Sequence, residues 1–325
     1  MSLAQHIRVI RLSDGVCISL PTDSNFVIAL GNFDGVHLAH RSLLNLAAQM
    51  ALCHPPCHSA VFCFDPPSSD FFPSGGRGHL STLEEKLAMF AECGIEFAFV
   101  ADFAALRDTE AATFIQDVLK DTCHATAIVC GFNFRFGKDG MGQPDMLERF
   151  FGRDNFKMLP PYKLSDAEGL SHTLVSSSEI RAALMQGDVA KAQLMLGRPY
   201  QLTAPVVRGK QLGRTLGIPT INQFAPPNKL LPASGIYVTR VCINGAEYRG
   251  VSNIGVHPTV DADAALNCET HIIGYSGNAY GQSVTIEFLE RLRDEQRFSS
   301  SDVLRQAISE DIHHAIEYFD RHSKD

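Results

Sequence analysis

The sequence lacks any apolar run approaching the roughly 18 residues that a membrane-spanning helix needs. Its first residues, Met1–His6, lack a basic patch followed by an apolar core, so we expect no secretory signal. It also has no excess of basic charge, because 28 Lys and Arg stand against 36 Asp and Glu, a net charge of −8. These absences disfavour a membrane protein, a secreted protein and a broad nucleic-acid surface, and we expect a cytoplasmic protein.

The cysteines do not form the pattern of a disulfide framework or a zinc site. They are odd in number, nine, and several lie in apolar stretches (Cys63, Cys130 and Cys242), which is typical of reduced, buried thiols. The cluster Cys53–His58 contains possible zinc ligands, but no second Cys/His pair follows at finger spacing. Its two prolines favour a loop between a helix and a strand.

The length and composition indicate a globular protein of two domains. A chain of 325 residues is too long for one ordinary core, and its 45% hydrophobic and 20% charged residues are globular proportions. The sequence pattern changes between residues 186 and 200. We therefore predict a first domain over 1–186 and a second over 187–325.

The first domain alternates strand-like and helix-like segments. Continuous apolar runs predict buried strands, and apolar residues at helical spacing predict the helices between them. The predicted strands are 26–30, 60–64, 97–100 and 127–130, and the predicted helices are 36–51, 82–93 and 110–119. This alternation predicts an α/β domain with a parallel sheet, which binds ligands beyond the carboxyl ends of its strands. Two glycine-rich loops, 31–35 and 131–143, follow strands there.

The second domain shows short β-rich runs at 237–241, 271–273 and 284–288, with Gly, Asn and Pro between them. Because no helices intervene, we predict a small antiparallel β-barrel. The amphipathic segment 303–319 predicts a C-terminal helix that packs against it.

His37 and His40 are three residues apart, directly after the first strand and its turn. At a helix start both imidazoles lie on one face, where free amides and the helix dipole attract phosphate. Two imidazoles there can stabilise the charge that builds on a triphosphate during cleavage. Gly31 and Asn32 belong to the preceding loop, whose glycines let the backbone close on a ligand. With 13 histidines in the chain, a pair at this spacing also arises by chance.

Two further groups are candidate ligand contacts. Ser176, Ser177 and Ser178 stand at a predicted helix start with Arg181 one turn later, which suits phosphate; an ordinary N-cap fits the same residues. The segment Gly131–Gly137 carries aromatic side chains together with an amide and a guanidinium. Its Asn133 and Arg135, with these aromatic side chains, are candidate contacts for a flat ring, although a strand end with packed Phe residues fits the pattern too.

The segment 209–222 is rich in glycine and basic residues, including Gly209, Lys210 and Gly213. It is not a Walker loop, because no Gly-Lys-Ser/Thr precedes a helix. It predicts a basic loop that leads to Thr220 and Asn222. Alternate strand side chains share one face, so these two oxygens can hold Mg²⁺ beside nucleotide phosphates. An ordinary polar turn is the other interpretation.

Taken together, these segments resemble a known family. Residues 31–40 resemble the GNFDGVHxGH motif of the bifunctional riboflavin kinase/FAD synthetases. Residues 131–137, 175–181, 209–222 and 248–259 are similar to that family's G-[DN]-F-x-F-G, serine-rich phosphate, GR-x-LG-x-PTAN and GV-x-NIG-x-RPT motifs. The resemblance covers nearly the whole chain in the right order. It implies a Rossmann-like nucleotidyltransferase domain, then a β-barrel riboflavin kinase domain with a C-terminal helix.

The resemblance also implies substrates and roles. The enzyme would use ATP with Mg²⁺ to turn riboflavin into FMN, then ATP again to turn FMN into FAD and pyrophosphate. Glu269 matches the family's catalytic base, and Arg293 its flavin-capping segment. The resemblance also implies that Asn133 and Arg135 contact the flavin. Without the resemblance, Glu269 reads as a solvated strand residue and Arg293 as the partner of Glu290 or Glu295. No nucleic-acid or membrane partner is implied, and the oligomeric state stays open.

The sequence departs from the family pattern at three positions. Ala39 replaces the glycine between the two histidines, Ile221 replaces an alanine, and His257 replaces an arginine. The methyl group of Ala39 leaves open a chain that retains only riboflavin kinase. A non-catalytic flavin- or nucleotide-binding regulator is the alternative of another class, and it is disfavoured because the candidate base and metal ligands are all present.

Overall fold

A computed structural model describes residues 7–12, 20, 24–67, 78–165, 172–209, 213, 217–256 and 266–322. Lys210 and the segment His257–Thr259 lie outside the described residues. The chain divides into two units, Met1–Ser177 and Ser178–Asp325. The predicted boundary at 186/187 lies somewhat later in the chain than this division and stays a prediction.

The first unit is built on a six-stranded parallel sheet, which confirms the predicted parallel sheet. The strands are β1 (Arg8–Leu12), β2 (Asn25–Leu30), β3 (Cys57–Phe64), β4 (Phe97–Ala101), β5 (Ala125–Gly131) and β6 (Phe156–Leu159). Their order in the sheet is β1-β4-β3-β2-β5-β6. Alternate residues of β2 enter the two cores on opposite faces, Ile28 on one side and Val27 on the other. This double burial explains the continuous apolar runs.

Helices connect these strands; the predicted helices 36–51 and 82–93 are among them, and the predicted helix 110–119 differs in type. They are α1 (Leu38–Cys53), α2 (Leu83–Glu92), α3 (Phe103–Leu106), α4 (Ala111–Thr113) and α5 (Pro144–Phe151). The first helix begins at Leu38, because Val36 has a φ of +39° and His37 is the N-cap. After α4 the chain continues as a π-helix over Phe114–Thr122, where the Cys123 N–H donates to the Val118 carbonyl at 2.9 Å. Two short antiparallel strands follow, β7 (Lys163–Ser165) and β8 (His172–Leu174).

The second unit contains a curled antiparallel sheet, which agrees with the predicted antiparallel β-barrel. It follows α6 (Ser177–Met185) and α7 (Val189–Leu196). Its strands are β9 (Tyr200–Pro205), β10 (Thr220–Phe224), β11 (Gly235–Ile243), β12 (Ala246–Val256), β13 (Leu266–Ile272) and β14 (Ser283–Arg293), in the order β10-β13-β12-β11-β14-β9. The edges approach each other where the Val207 N–H donates to the Asn222 carbonyl at 2.8 Å. The predicted C-terminal helix is α8 (Ser301–His322), which packs against β11 and β12.

Candidate active sites

The loop 31–37 joins the carboxyl end of β2 to α1. Phe33, Gly35 and Val36 all have positive φ, at 50°, 79° and 39°. Such angles are rare for residues with side chains, and rarest for a β-branched one, so the surrounding contacts must fix this conformation.

Asp34 provides those contacts. Its carboxylate is buried and accepts hydrogen bonds from the Leu80 N–H at 2.9 Å and the Ser81 N–H at 3.1 Å. The Gly35 N–H donates to the Ser81 hydroxyl at 2.9 Å, and the Ser177 hydroxyl donates to the Asp34 carbonyl at 2.9 Å. The loop 31–37 is therefore fixed to the residues just before α2 and to the first residue of α6. Asp34 belongs to the motif at residues 31–40, but no role for it could be predicted from the sequence.

The structure brings the two predicted histidines together at the start of α1. The rings of His37 and His40 stack with centroids 3.6 Å apart and an interplanar angle of 14°. The Nδ1 atom of His37 accepts a hydrogen bond from the His40 N–H at 3.3 Å, so His37 also caps the helix. Burial lowers the pKa of His40 well below its usual value, and the neighbouring charges of His37 and Lys86 lower it further. His40 is thus a neutral imidazole near pH 7.

The two glycine-rich loops lie at the same edge of the sheet, because β2 and β5 are neighbouring parallel strands. A Cβ atom on Gly31 would lie 3.1 Å from the Phe33 ring, so the close packing of this loop favours glycine. Asn32 is exposed beside it, and so are the predicted flavin contacts Asn133 and Arg135 on the loop after β5. The sequence predicts only that these side chains share one edge of the sheet; it does not predict how far apart they lie.

The residues of the serine group differ in position and in contacts. Ser177 begins α6 and its hydroxyl is engaged with Asp34, so it holds the 31–37 loop. Ser176 is partly buried just before it. Arg181 lies one turn into α6, within the second unit, and its predicted contact with phosphate stays a prediction.

In the second unit, strand register places three polar side chains side by side. Glu269 on β13 lies directly opposite Asn222 on β10 and Asn253 on β12, so all three share one face of the sheet. Asn267 links two of these side chains, since its amide donates to Asn222 Oδ1 at 3.2 Å and to Glu269 Oε1 at 3.4 Å. The Oδ1 atom of Asn253 is buried without a hydrogen-bond partner among the described residues. The sequence assigned no role to Asn253 or Asn267.

The predicted basic loop reaches this group. A Cβ atom on Gly209 would lie 2.5 Å from the side-chain amide of Asn222, and one on Gly213 would lie 3.4 Å from the Thr220 hydroxyl. Only glycine permits the loop to approach Asn222 this closely. The structure therefore brings Gly209, Gly213, Thr220 and Asn222 together as the sequence predicts.

Among the described residues, Arg293 does not pair with Glu290 or Glu295, the two partners considered in the sequence analysis. Its guanidinium forms a two-pronged pair with the buried carboxylate of Asp311 on α8, at 2.9 and 2.6 Å. Glu290 and Glu295 form no ion pair with it in the described part of the chain. The sequence could not indicate this pair, because it joins a strand to a later helix. The guanidinium also lies over the Phe298 ring at 5.8 Å.

These features suit one class of protein, a two-unit phosphate-transferring enzyme: one unit has a histidine pair at a helix start beside a parallel sheet, and the other has a carboxylate beside two asparagines on an antiparallel sheet. The FAD synthetase family matches residues 19–177, and the riboflavin kinase family matches residues 196–319. The bifunctional riboflavin kinase/FMN adenylyltransferase of Pseudomonas fluorescens is 32% identical over 90% of this chain and 92% of its own. That of Bacillus subtilis is 31% identical over 90% and 92%.

The chain belongs to the family of bifunctional riboflavin kinase/FMN adenylyltransferases. It makes FMN from riboflavin and FAD from FMN, which confirms the predicted function. A crystal structure named as a macrolide-efflux protein from Streptococcus pneumoniae is also similar, with a TM-score of 0.81 and 29% identity over 94% of this chain and 98% of that one. Within the described residues, no helix has the length and apolar character to cross a bilayer.

Proposed function

We propose that the first unit carries FMN adenylylation and that the second carries riboflavin phosphorylation. The matched family regions support this division, since each covers one group of candidate residues except for Arg181, which lies between the two regions. The observation that carries the kinase assignment is the alignment of Asn222, Glu269 and Asn253 across three strands. Because the eight cysteines among the described residues form no disulfide, we place the enzyme in the cytoplasm.

In the kinase reaction, Glu269 accepts the proton of the riboflavin 5′-hydroxyl as its oxygen attacks the γ-phosphorus of ATP. The bond between this phosphorus and the ADP oxygen breaks as the new one forms. The amide of Asn267, 3.4 Å from Glu269, helps to orient the carboxylate. Arg293 lines the flavin: the two-pronged pair with Asp311 holds its guanidinium in place, and the face opposite the Phe298 ring is the one proposed to stack on the flavin.

The group around Asn222 fits Mg²⁺. Thr220 and Asn222 offer neutral oxygens on one strand face, Gly209 leaves a space that a Cβ atom would fill, and the Asn253 oxygen is buried without a partner among the described residues. The described chain gathers no three His, Cys, Asp or Glu side chains as a metal site. That combination suits a cation held mainly by nucleotide phosphates, which Mg²⁺ prefers. When bound, Mg²⁺ neutralises charge on the transferred phosphoryl group.

Replacing Asn222 with Ala is expected to raise the Mg²⁺ concentration that half-saturates FMN formation and to slow the reaction about tenfold or more. Removal of this oxygen weakens the metal site and leaves the Asn267 amide without its 3.2 Å partner. The measurement is a Mg²⁺ titration at fixed ATP. FAD formation from supplied FMN in the same preparation is the control, and an unchanged titration would place the metal elsewhere.

In the adenylylation reaction, a phosphate oxygen of FMN attacks the α-phosphorus of ATP and pyrophosphate leaves. No covalent enzyme intermediate is needed, so the chain contributes alignment and charge stabilisation. The free amides at the start of α1, together with Gly31, Asn32, His37 and His40, hold the phosphates. Asn133 and Arg135, on the loop after the neighbouring strand, contact the flavin.

Replacing Ala39 with Gly is expected to lower the KM for ATP in FAD formation by a few-fold. Removing the methyl group gives the nucleotide closer access to the start of α1, while a glycine in the helix costs about 1 kcal/mol of stability. Steady-state kinetics with supplied FMN and thermal unfolding measure the two effects. A KM that does not fall would show that the methyl group does not impede ATP.

A further inference from the structure

Lys86 on α2 is a buried lysine, only 2% exposed. It lies on the helix face that also carries Met89 and Phe90, which belong to the apolar core on that side of the sheet. An ammonium in such surroundings is unfavourable unless it has a partner. Within the described residues the ammonium forms no hydrogen bond and no ion pair, whereas the backbone N–H of Lys86 donates to the Thr82 carbonyl at 3.0 Å.

The face of α2 that carries Lys86 packs against the 31–37 loop. Ser81, just before the helix, bonds to Asp34 and Gly35, and Phe90, one turn after Lys86, contacts the Phe33 ring edge-on at 5.5 Å. Phe33 in turn contacts His40 at 5.2 Å. Lys86 is therefore placed beside the start of α1, between two contacts that fix α2 to this loop.

The acidic side chains of this region have other partners. Asp34 accepts hydrogen bonds from Leu80 and Ser81, and Asp65 pairs with Arg11 at 3.3 Å. Lys86 influences the titration of His40 on α1 and of Cys63 at the end of β3, so its charge lies close to the carboxyl edge of the sheet. That edge is where phosphates are expected.

We propose that Lys86 supplies the fixed positive charge of the phosphate-binding corner and that the polyphosphate of ATP is the partner of its charge during adenylylation. The inference rests on the proposed placement of that reaction in the first unit. His40 is a poor source of this charge, because burial and the neighbouring charges of His37 and Lys86 hold its pKa low.

The test compares Lys86→Met with Lys86→Arg, and with Lys120→Met as a control at an exposed lysine. Met has a similar length and no charge, so the KM for ATP in FAD formation from supplied FMN should rise about 10- to 100-fold. Lys86→Arg should restore most of the affinity, and Lys120→Met should change nothing. FMN formation by the second unit should be unaffected throughout.

Stability separates this role from a structural one. If Lys86 has no partner without ATP, Lys86→Met should unfold at the same temperature as the parent or a higher one, although it binds ATP less well. If Lys86 served only the fold, its replacement would instead lower the stability of the protein. A lower unfolding temperature without ligand, with Lys86→Arg failing to restore ATP affinity, would overturn the proposal.

The pH dependence provides a second readout. Without the Lys86 charge, the pKa of His40 should rise, since one of the groups that lower it is gone. Burial, the largest cause, and His37 continue to lower that pKa. His40 therefore does not replace the missing charge, and the KM of Lys86→Met for ATP should stay above the parent's from about pH 8 to about pH 6. A KM equal to the parent's would refute the role of Lys86; a parent that makes no FAD would refute the proposed function instead.

Discussion

Replacing Glu269 with Gln is expected to lower FMN formation about 1,000-fold, while FAD formation from supplied FMN continues at the parent rate. General base catalysis contributes about 100- to 10,000-fold, and a Gln side chain cannot accept the proton. Gln preserves the size of the side chain and can still take the hydrogen bond from Asn267, which reaches Glu269 at 3.4 Å. The loss should therefore appear in kcat, with little change in the KM for riboflavin.

The matched control is Glu247→Gln, an exposed carboxylate on the neighbouring strand β12. It should leave both reactions unchanged, because Glu247 pairs only with Arg240, at 3.6 Å, among the described residues. FMN formation that persists in Glu269→Gln would show that another group accepts the proton. A loss of both reactions would show that the two sites are not independent.

Replacing His37 with Asn is expected to lower FAD formation by about 100- to 1,000-fold and to leave FMN formation intact. Asn is a good N-cap, so the hydrogen bond from the His40 N–H can be kept while the imidazole is removed. What is lost is the ring that stacks on His40 at 3.6 Å and stabilises charge on the phosphates. His37→Ala removes the cap as well, and should destabilise α1 by about 1 kcal/mol more.

The comparison between the two His37 variants separates catalysis from folding. His54→Asn, at the exposed C-terminal end of the same helix, is the matched control and should retain both activities. Thermal unfolding measures the helix-capping part, and FAD formation from supplied FMN measures the catalytic part. If His37→Asn formed FAD at the full rate, His37 would serve only as the N-cap of α1 and would have no catalytic role.

Much of the fold follows from local patterns in the sequence. The run Phe26–Leu30 predicts a strand covered on both faces, and its residues do enter both cores. The capping box formed by Thr82 and Glu85 explains why the start of α2 can be predicted from the sequence. The start of α1 was misjudged by two residues, because apolar spacing does not reveal that Val36 adopts a positive φ.

The sites are harder to predict from the sequence because they depend on contacts between segments that are distant along the chain. The alignment of Asn222 with Glu269 is set by strand register, which the sequence does not specify residue by residue. The Arg293–Asp311 pair likewise joins separate elements. Lys86 gives the weakest signal, since a lysine in an amphipathic helix is normally assigned to solvent; only its spacing with Met89 and Phe90 hints at burial.

We propose that this chain performs its two reactions at two separate groups of residues. The most direct test is chromatography of the products that the parent chain, Glu269→Gln and His37→Asn form from riboflavin, ATP and Mg²⁺. The parent should yield FMN and FAD, Glu269→Gln neither, and His37→Asn FMN alone, while supplied FMN should restore FAD formation to Glu269→Gln only. FMN without FAD from the parent, or the same product pattern from both variants, would contradict the account.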